Sequence, residues 1–188
     1  IFGLIAKAFI QGIMALKHFY AKAIENRYLR AVIGGSVVLF IILLLNGLCF
    51  TGLSTWMIDE AFTSHLSLLV PLKKFVLTVL SLSAGFQGGE ATPLFTIGAS
   101  MGNFIAQTAH LDPQLFAALG YVGIYCIAAN VPLTGIILGA ELFGVIYVPY
   151  FAVTMIIGSM FMGHHSIFSA QRFSHKSRQF SLFHPLSR

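Results

Sequence analysis

The chain has 188 residues, 57% of them hydrophobic and only 9% charged, with a mean hydropathy of +0.85. A water-soluble domain of this length needs about a quarter of its residues charged, so lipid is the expected solvent for most of the chain. The formal net charge of +5 does not mark nucleic-acid binding, because the basic residues collect at the two ends and not on one face.

Residues 1–24 are predicted to form a helix whose polar end runs into Glu25-Asn26-Arg27. Residues 28–50 read as the cleanest membrane-spanning segment, followed by a small-residue break at 51–55. Residues 59–71 are expected as a short helix or re-entrant piece, and 72–84 as a further helix. Stretches 31–58, 91–111, 113–140 and 142–171 contain no Asp, Glu, Lys or Arg. Each is at or beyond the roughly 20 residues that a helix needs to cross hydrocarbon. Lys7, Lys17, Lys22, Arg27 and Arg30 precede the first of these, and Arg172, Lys176, Arg178 and Arg188 follow the last. By the positive-inside rule both basic ends lie in the cytoplasm, the second as a tail at 172–188. Charge alone assigns Lys73 and Lys74 to neither face. Cys49 and Cys126 sit in apolar runs and are expected as buried, inert thiols, not a disulfide framework. Residue Ile1 opens directly in the helical pattern, with no signal peptide and no initiator Met, which points to a truncated sequence.

From residue 92 onward the helices share a start signal. Thr92-Pro93, Asp112-Pro113 and Val131-Pro132 each precede an apolar helical pattern. Proline suits the first helical position, and a Thr or Asp before it can cap free backbone N–H groups. Starts at Pro93 and Pro132 would lie inside apolar sequence. Broken backbone at membrane depth is tolerated only where protein or a water-filled cavity surrounds it, and it marks transporter binding sites. Gly98/Gly102 and Gly135/Gly139 each form G-x-x-x-G, the spacing of close helix contact.

The chemistry concentrates in Ser83-Ala84-Gly85-Phe86-Gln87-Gly88-Gly89-Glu90-Ala91-Thr92-Pro93. A glycine-rich turn delivers the chain to a helix start that offers unpartnered N–H groups and the positive end of the helix dipole. Together these bind an anion without a full positive charge, which permits release as well as capture. Thr92 either donates its hydroxyl to the anion or caps its own helix. Glu90 within apolar sequence costs about 2.5–3.5 kcal/mol on insertion scales and is a functional candidate by default. Desolvation favours its protonated form, making it the proton-exchanging candidate; the alternative is a carboxylate tied to lysine or backbone donors of a neighbouring helix.

These residues carry a resemblance. Gly88-Gly89-Glu90-Ala91-Thr92-Pro93 resembles the CLC motif G-G-x-F-x-P, in the Glu/Thr form typical of bacterial fluoride/proton antiporters. Asn130-Val131-Pro132-Leu133-Thr134-Gly135-Ile136-Ile137-Leu138 followed by Glu141 resembles the family's A-P-L-T-G-I-I-L…E segment, and His165-Ser166-Ile167-Phe168-Ser169-Ala170 its final short helix. The resemblance implies an all-α polytopic membrane fold with broken and re-entrant helices, the second inverted repeat of a CLC-type transporter, occupying 1–188 as one partial domain. It implies anion binding by Gly89, Glu90, Ala91 and Thr92, with Phe168 where the family commonly has a Tyr hydroxyl on the anion, and a proton role for Glu90. Fluoride or chloride and protons are the implied partners, within a lipid bilayer, with no cofactor. A homodimer in a bacterial inner membrane is implied for the full-length form. A gating-glutamate loop like that of the family's first half is absent, so the chain is expected to hold half a site. Fluoride export coupled to protons is the expected parent function; a chloride channel or exchanger of the same fold, or a truncated non-transporting fragment, are the alternatives.

Two other patterns compete. Gly98-Ala99-Ser100-Met101-Gly102 matches the hydrolase G-x-S-x-G, which requires a strand-to-helix elbow and a His–acid pair; here it falls inside a helix, and the chain is not expected to be an enzyme. His164-His165 could suggest a metal, but adjacent helical side chains point apart and a helix end is the expected reading.

Overall fold

The computed structural model describes residues 1–86, 88–163 and 166–168, with Arg27 defined in its backbone alone. The basic tail at 172–188 and the His164-His165 pair lie outside the described residues. The described elements are helical: α1 (Phe2–Ala23), α2 (Arg27–Leu44), α3 (Trp56–Thr63), α4 (Leu69–Ser83), α5 (Ala91–Ala109), α6 (Pro113–Ala128), α7 (Pro132–Phe143) and α8 (Val148–Met162), with 3-10 turns at Leu48–Phe50 and Val145–Tyr147.

The long uncharged stretches are cut more often than composition suggests. The span expected over 28–50 ends six residues early, at Leu44. Asn46 turns left-handed (φ 49°), and the Asn46 and Gly47 N–H groups close back on the Leu43 and Ile42 carbonyls at 3.2 and 2.7 Å, a Schellman stop. Asn130 (φ 56°) ends α6 in the same way, with Asn130 N–H on the Ile127 carbonyl and Val131 N–H on that of Cys126. This stop divides the 113–140 stretch into α6 and α7. Pro71, expected to end an element, lies in the first turn of α4. Among the described residues only Val145–Met162 is long and apolar enough to cross a membrane by itself.

The first helix buries Phe2, Ala6, Phe9, Ile10 and Ile13 on one face, the three-and-four spacing of an amphipathic helix. That face packs on α6, α8 and α4. The most extensive packing joins α5 to α6, and the core is built around them from Leu94, Ile97, Val122, Ile124 and Ile127. On the outside, Leu39, Phe40 and Leu43 of α2 and Val153, Ile156 and Ile157 of α8 are exposed. An outer surface of this kind suits lipid and not water. Cys126 is buried as expected, but Cys49 is exposed, because the 3-10 turn that carries it has left the packed part of α2.

Glycine permits the close α5–α6 approach. A Cβ at Gly98 would fall on the Gly120 carbonyl oxygen, one at Gly120 on that of Gly98, and one at Gly102 on that of Phe116. Gly135 and Gly139 admit the side chains of Met155 and Phe151. The two G-x-x-x-G patterns are therefore packing surfaces. Gly3 against Gly158 makes a further crossing, between α1 and α8, which no short motif marks.

Two buried polar anchors complete the frame. Asn103, 1% exposed, donates to the carbonyls of Ala61 (2.7 Å) and Ser64 (3.0 Å) and accepts from Leu66 N–H (3.1 Å). It thereby satisfies the C-terminal end of α3. Lys74, 3% exposed, donates to the Phe50 and Gly52 carbonyls at 3.0 and 2.7 Å and to Ser54 Oγ at 2.9 Å. Lys73 donates to the Leu45 carbonyl at 3.1 Å and sits 5.8 Å from the Phe50 ring centroid. Of the lysines that charge patterning could not place, Lys73 thus holds a carbonyl released where α2 ends, the favourable end of a helix for a cation, and Lys74 holds those at and after the 3-10 turn that follows.

Gly98→Leu is expected to abolish recovery of monodisperse protein in detergent, because the neighbouring helix backbone cannot yield. Gly88→Ala, where a Cβ meets nothing within 4 Å, is expected to purify normally. Asn103→Ala strands buried acceptors and a donor and is expected to cost about 1–3 kcal/mol, seen as a lower thermal midpoint followed through Trp56 fluorescence.

Candidate functional site

The fourth helix ends at Ser83, and Gly85 (φ 102°) lets Phe86 N–H reach back to the Ser81 carbonyl at 3.3 Å. This sharp stop aims Gly88 and Gly89 across the top of α5. The fifth helix then begins at Ala91, with Glu90 as its N-cap. That start is two residues earlier than the Thr92-Pro93 signal implied. Pro93 occupies the third helical position, where its missing N–H costs nothing because that group has no intrahelical partner in any case. Thr92 is consequently not a cap. It lies half-buried in the first turn, without a hydrogen bond from its side chain to the described residues.

The start of α5 leaves donors free. No backbone N–H from Gly88 to Thr92 donates to another described residue. Glu90 makes no side-chain cap, and among the described residues its half-buried carboxylate takes part in no hydrogen bond or ion pair. The alternative expectation, a carboxylate held by lysine or by backbone donors, is not what the described residues form: Lys73 and Lys74 are engaged with carbonyls elsewhere.

A cavity of about 510 Å³ opens at this turn. Gly88, Gly89, Glu90 and Ala91 form one side, and Tyr125, Ile167 and Phe168 the other. The structure thus brings together Gly89, Glu90, Ala91 and Phe168 as sequence reasoning grouped them, while Thr92 does not line this cavity. Phe168 reaches it because α6 ends in unpaired carbonyls. Ile167 N–H donates to the Ala128 carbonyl at 3.0 Å, and Ser166 Oγ donates to that of Ala129 at 3.2 Å. Asn130 Nδ2 donates to the Gly163 carbonyl at 3.1 Å, and Phe168 N–H returns to Ser166 Oγ at 3.1 Å. The end of α6 is therefore the dock that sets Phe168 opposite Glu90.

On the other side of the same glycines lies a second cavity of about 300 Å³, bordered by Lys74, Thr78, Ser81 and Pro93. Gly88 and Gly89 line both spaces. Both spaces thus share a stretch of bare backbone in their lining.

Tyr125 escaped the sequence reading. Its ring lies 4.7 Å from that of Phe95, which in turn stacks on Tyr121 at 4.5 Å. The available signal was a polar-tipped aromatic in an apolar run, close to the α6 stop. Ser100 is fully buried within α5, and its hydroxyl donates to the Thr96 carbonyl at 2.8 Å. It lies on no strand-to-helix elbow, so the hydrolase-like motif is helix packing. Among the described residues no three His, Cys, Asp or Glu side chains cluster to hold a metal.

The chain is similar to known proteins. The family model described as voltage gated chloride channel matches residues 1–163. A chloride/fluoride channel protein of Pseudomonas syringae pv. tomato (strain ATCC BAA-871 / DC3000) is 35% identical over 181 residues, which is 93% of this chain and 40% of that protein. The crystal structure of a CLC-type fluoride/proton antiporter superposes with a TM-score of 0.87 at 33% identity, covering 93% of this chain and 44% of that one. The chain thus spans less than half the length of these relatives, and over that length the helical fold is of CLC type. With its broken helices, its lipid-suited surface and its match over residues 1–163, the chain belongs to the voltage gated chloride channel family of membrane proteins.

Proposed function

We propose that this chain supplies one wall of an anion pathway in a fluoride/proton exchanger, exporting fluoride from the bacterial cytoplasm across the inner membrane. The observation that carries this reading is the cavity where the amides at the start of α5 and the carboxylate of Glu90, none of them partnered among the described residues, come together. Fluoride is small and strongly hydrated, so a site for it must replace water with close donors. Backbone N–H groups at a helix start do this with partial charges, which bind without trapping.

Glu90 has the complementary role. A carboxylate beside an anion site repels the anion when ionised and stops doing so when protonated. The charge state of Glu90 and fluoride occupancy of the cavity are therefore linked. Thr92, in the first turn of α5, is assigned a supporting hydroxyl for an anion passing the helix start. The relatives' greater length leaves room for a second wall, and a homodimer is the assembly proposed for the full-length protein, with 172–188 as a cytoplasmic basic tail.

The test is ion flux in proteoliposomes containing the protein expressed from its own gene. Wild type is expected to release fluoride with accompanying proton movement. Glu90→Gln, which cannot exchange a proton, is expected to lose the proton movement by at least about tenfold, about 1.4 kcal/mol of coupling. Unchanged proton movement in Glu90→Gln removes Glu90 from the coupling. Chloride flux in place of fluoride flux assigns the cavity to the larger halide.

A further inference from the structure

The cavity at the α5 start holds one side-chain group that the proposed exchange has not used. Among the described residues that line it, Tyr125 alone carries a hydroxyl; Glu90 contributes a carboxylate, and the other described residues are glycine or apolar. Among the described residues the Tyr125 hydroxyl has no hydrogen-bond partner. The residue is half-buried and lines the cavity, so its hydroxyl is available to an occupant.

The ring, by contrast, is firmly held. It packs against Phe95 of α5 at 4.7 Å with the planes tilted by 55°, and Phe95 is stacked on Tyr121 at 4.5 Å and 9°. Its backbone carbonyl accepts from Ala129 N–H at 2.8 Å, within the same helix end that docks Ile167 and Phe168. A ring fixed in this way loses little rotamer entropy when its hydroxyl engages a ligand. The facing aromatic wall, Phe168, offers no hydroxyl. Across the cavity stand amides with no acceptor among the described residues, which thus present several donors and one ionisable acceptor, a composition suited to an anion.

We propose that the Tyr125 hydroxyl is the side-chain donor to the anion in this cavity, completing a shell begun by the amides of Glu90 and Ala91. The proposal rests on the reading of the cavity as an anion site and names its specificity-determining group. A phenol donates one directed hydrogen bond, and a compact, charge-dense acceptor gains most from it.

The experiment titrates sodium fluoride into the protein expressed from its own gene and purified in detergent, followed by calorimetry, for wild type and two variants. Tyr125→Phe keeps the ring and its packing on Phe95 and removes only the oxygen. It is expected to bind fluoride about tenfold more weakly, the value of one lost hydrogen bond to a charged partner, with an unchanged thermal midpoint. The second variant places 3-fluorotyrosine at position 125, a more acidic phenol of nearly the same shape, studied where that phenol is neutral. It is expected to bind fluoride more tightly than wild type. A purely structural role for Tyr125 would not move affinity in opposite directions with donor strength. Equal affinity in wild type and in either correctly folded variant overturns the assignment while leaving the anion site in place. Absence of fluoride binding by wild type overturns the assignment together with the reading on which it rests.

Discussion

The fold depends on one close approach, that of α5 to α6 at Gly98, Gly102 and Gly120. Lipid supplies no hydrophobic drive between helices, so association must come from dispersion and intimate packing. Bare backbone at the crossing brings the helices near enough for that packing to count. It also fixes where the two important helix ends lie. The start of α5 and the last turn of α6 line the same cavity, and one end offers donors where the other offers acceptors.

The two ends are used differently. The carbonyls that close α6 are taken by the chain itself, through Ile167 N–H and Ser166 Oγ, and so hold the segment carrying Phe168. The amides that open α5 are left untaken by the described residues. They lie on exposed or half-buried backbone at the cavity's edge, where the proposed anion would meet them. Lys73 and Lys74 make the contrast plain. Their full charges are spent on the carbonyls around Leu45, Phe50 and Gly52, so a fixed cation braces the scaffold while partial charges face the cavity.

Much of this was legible beforehand. The charge-free stretches gave the membrane character, and the run from Gly88 to Pro93 located the turn and its carboxylate. Asp112-Pro113 behaved as its residue types require, with Asp112 Oδ1 accepting from Gln114 N–H at 2.9 Å. The failures share a cause. Helix stops at Asn46 and Asn130 rest on left-handed asparagines, which composition does not separate from any other asparagine. The start of α5 was misplaced because Thr-Pro is an equally good signal at the cap and inside the first turn. Tyr125, Gly3 and Gly158 became visible only when distant segments were brought together, since each matters through a neighbour far away in sequence.

The glycines divide into two populations with opposite tolerance. At Gly98, Gly102 and Gly120 a methyl group would strike backbone, whereas at Gly88 and Gly89 it would meet open space. The backbone that lines both cavities is thus free of steric obligation to the fold. Its chemistry can drift while the helix crossings beneath stay fixed. Glycines that the helix crossings require and glycines that the turn merely tolerates thus occupy separable positions, so the turn can change without spending stability.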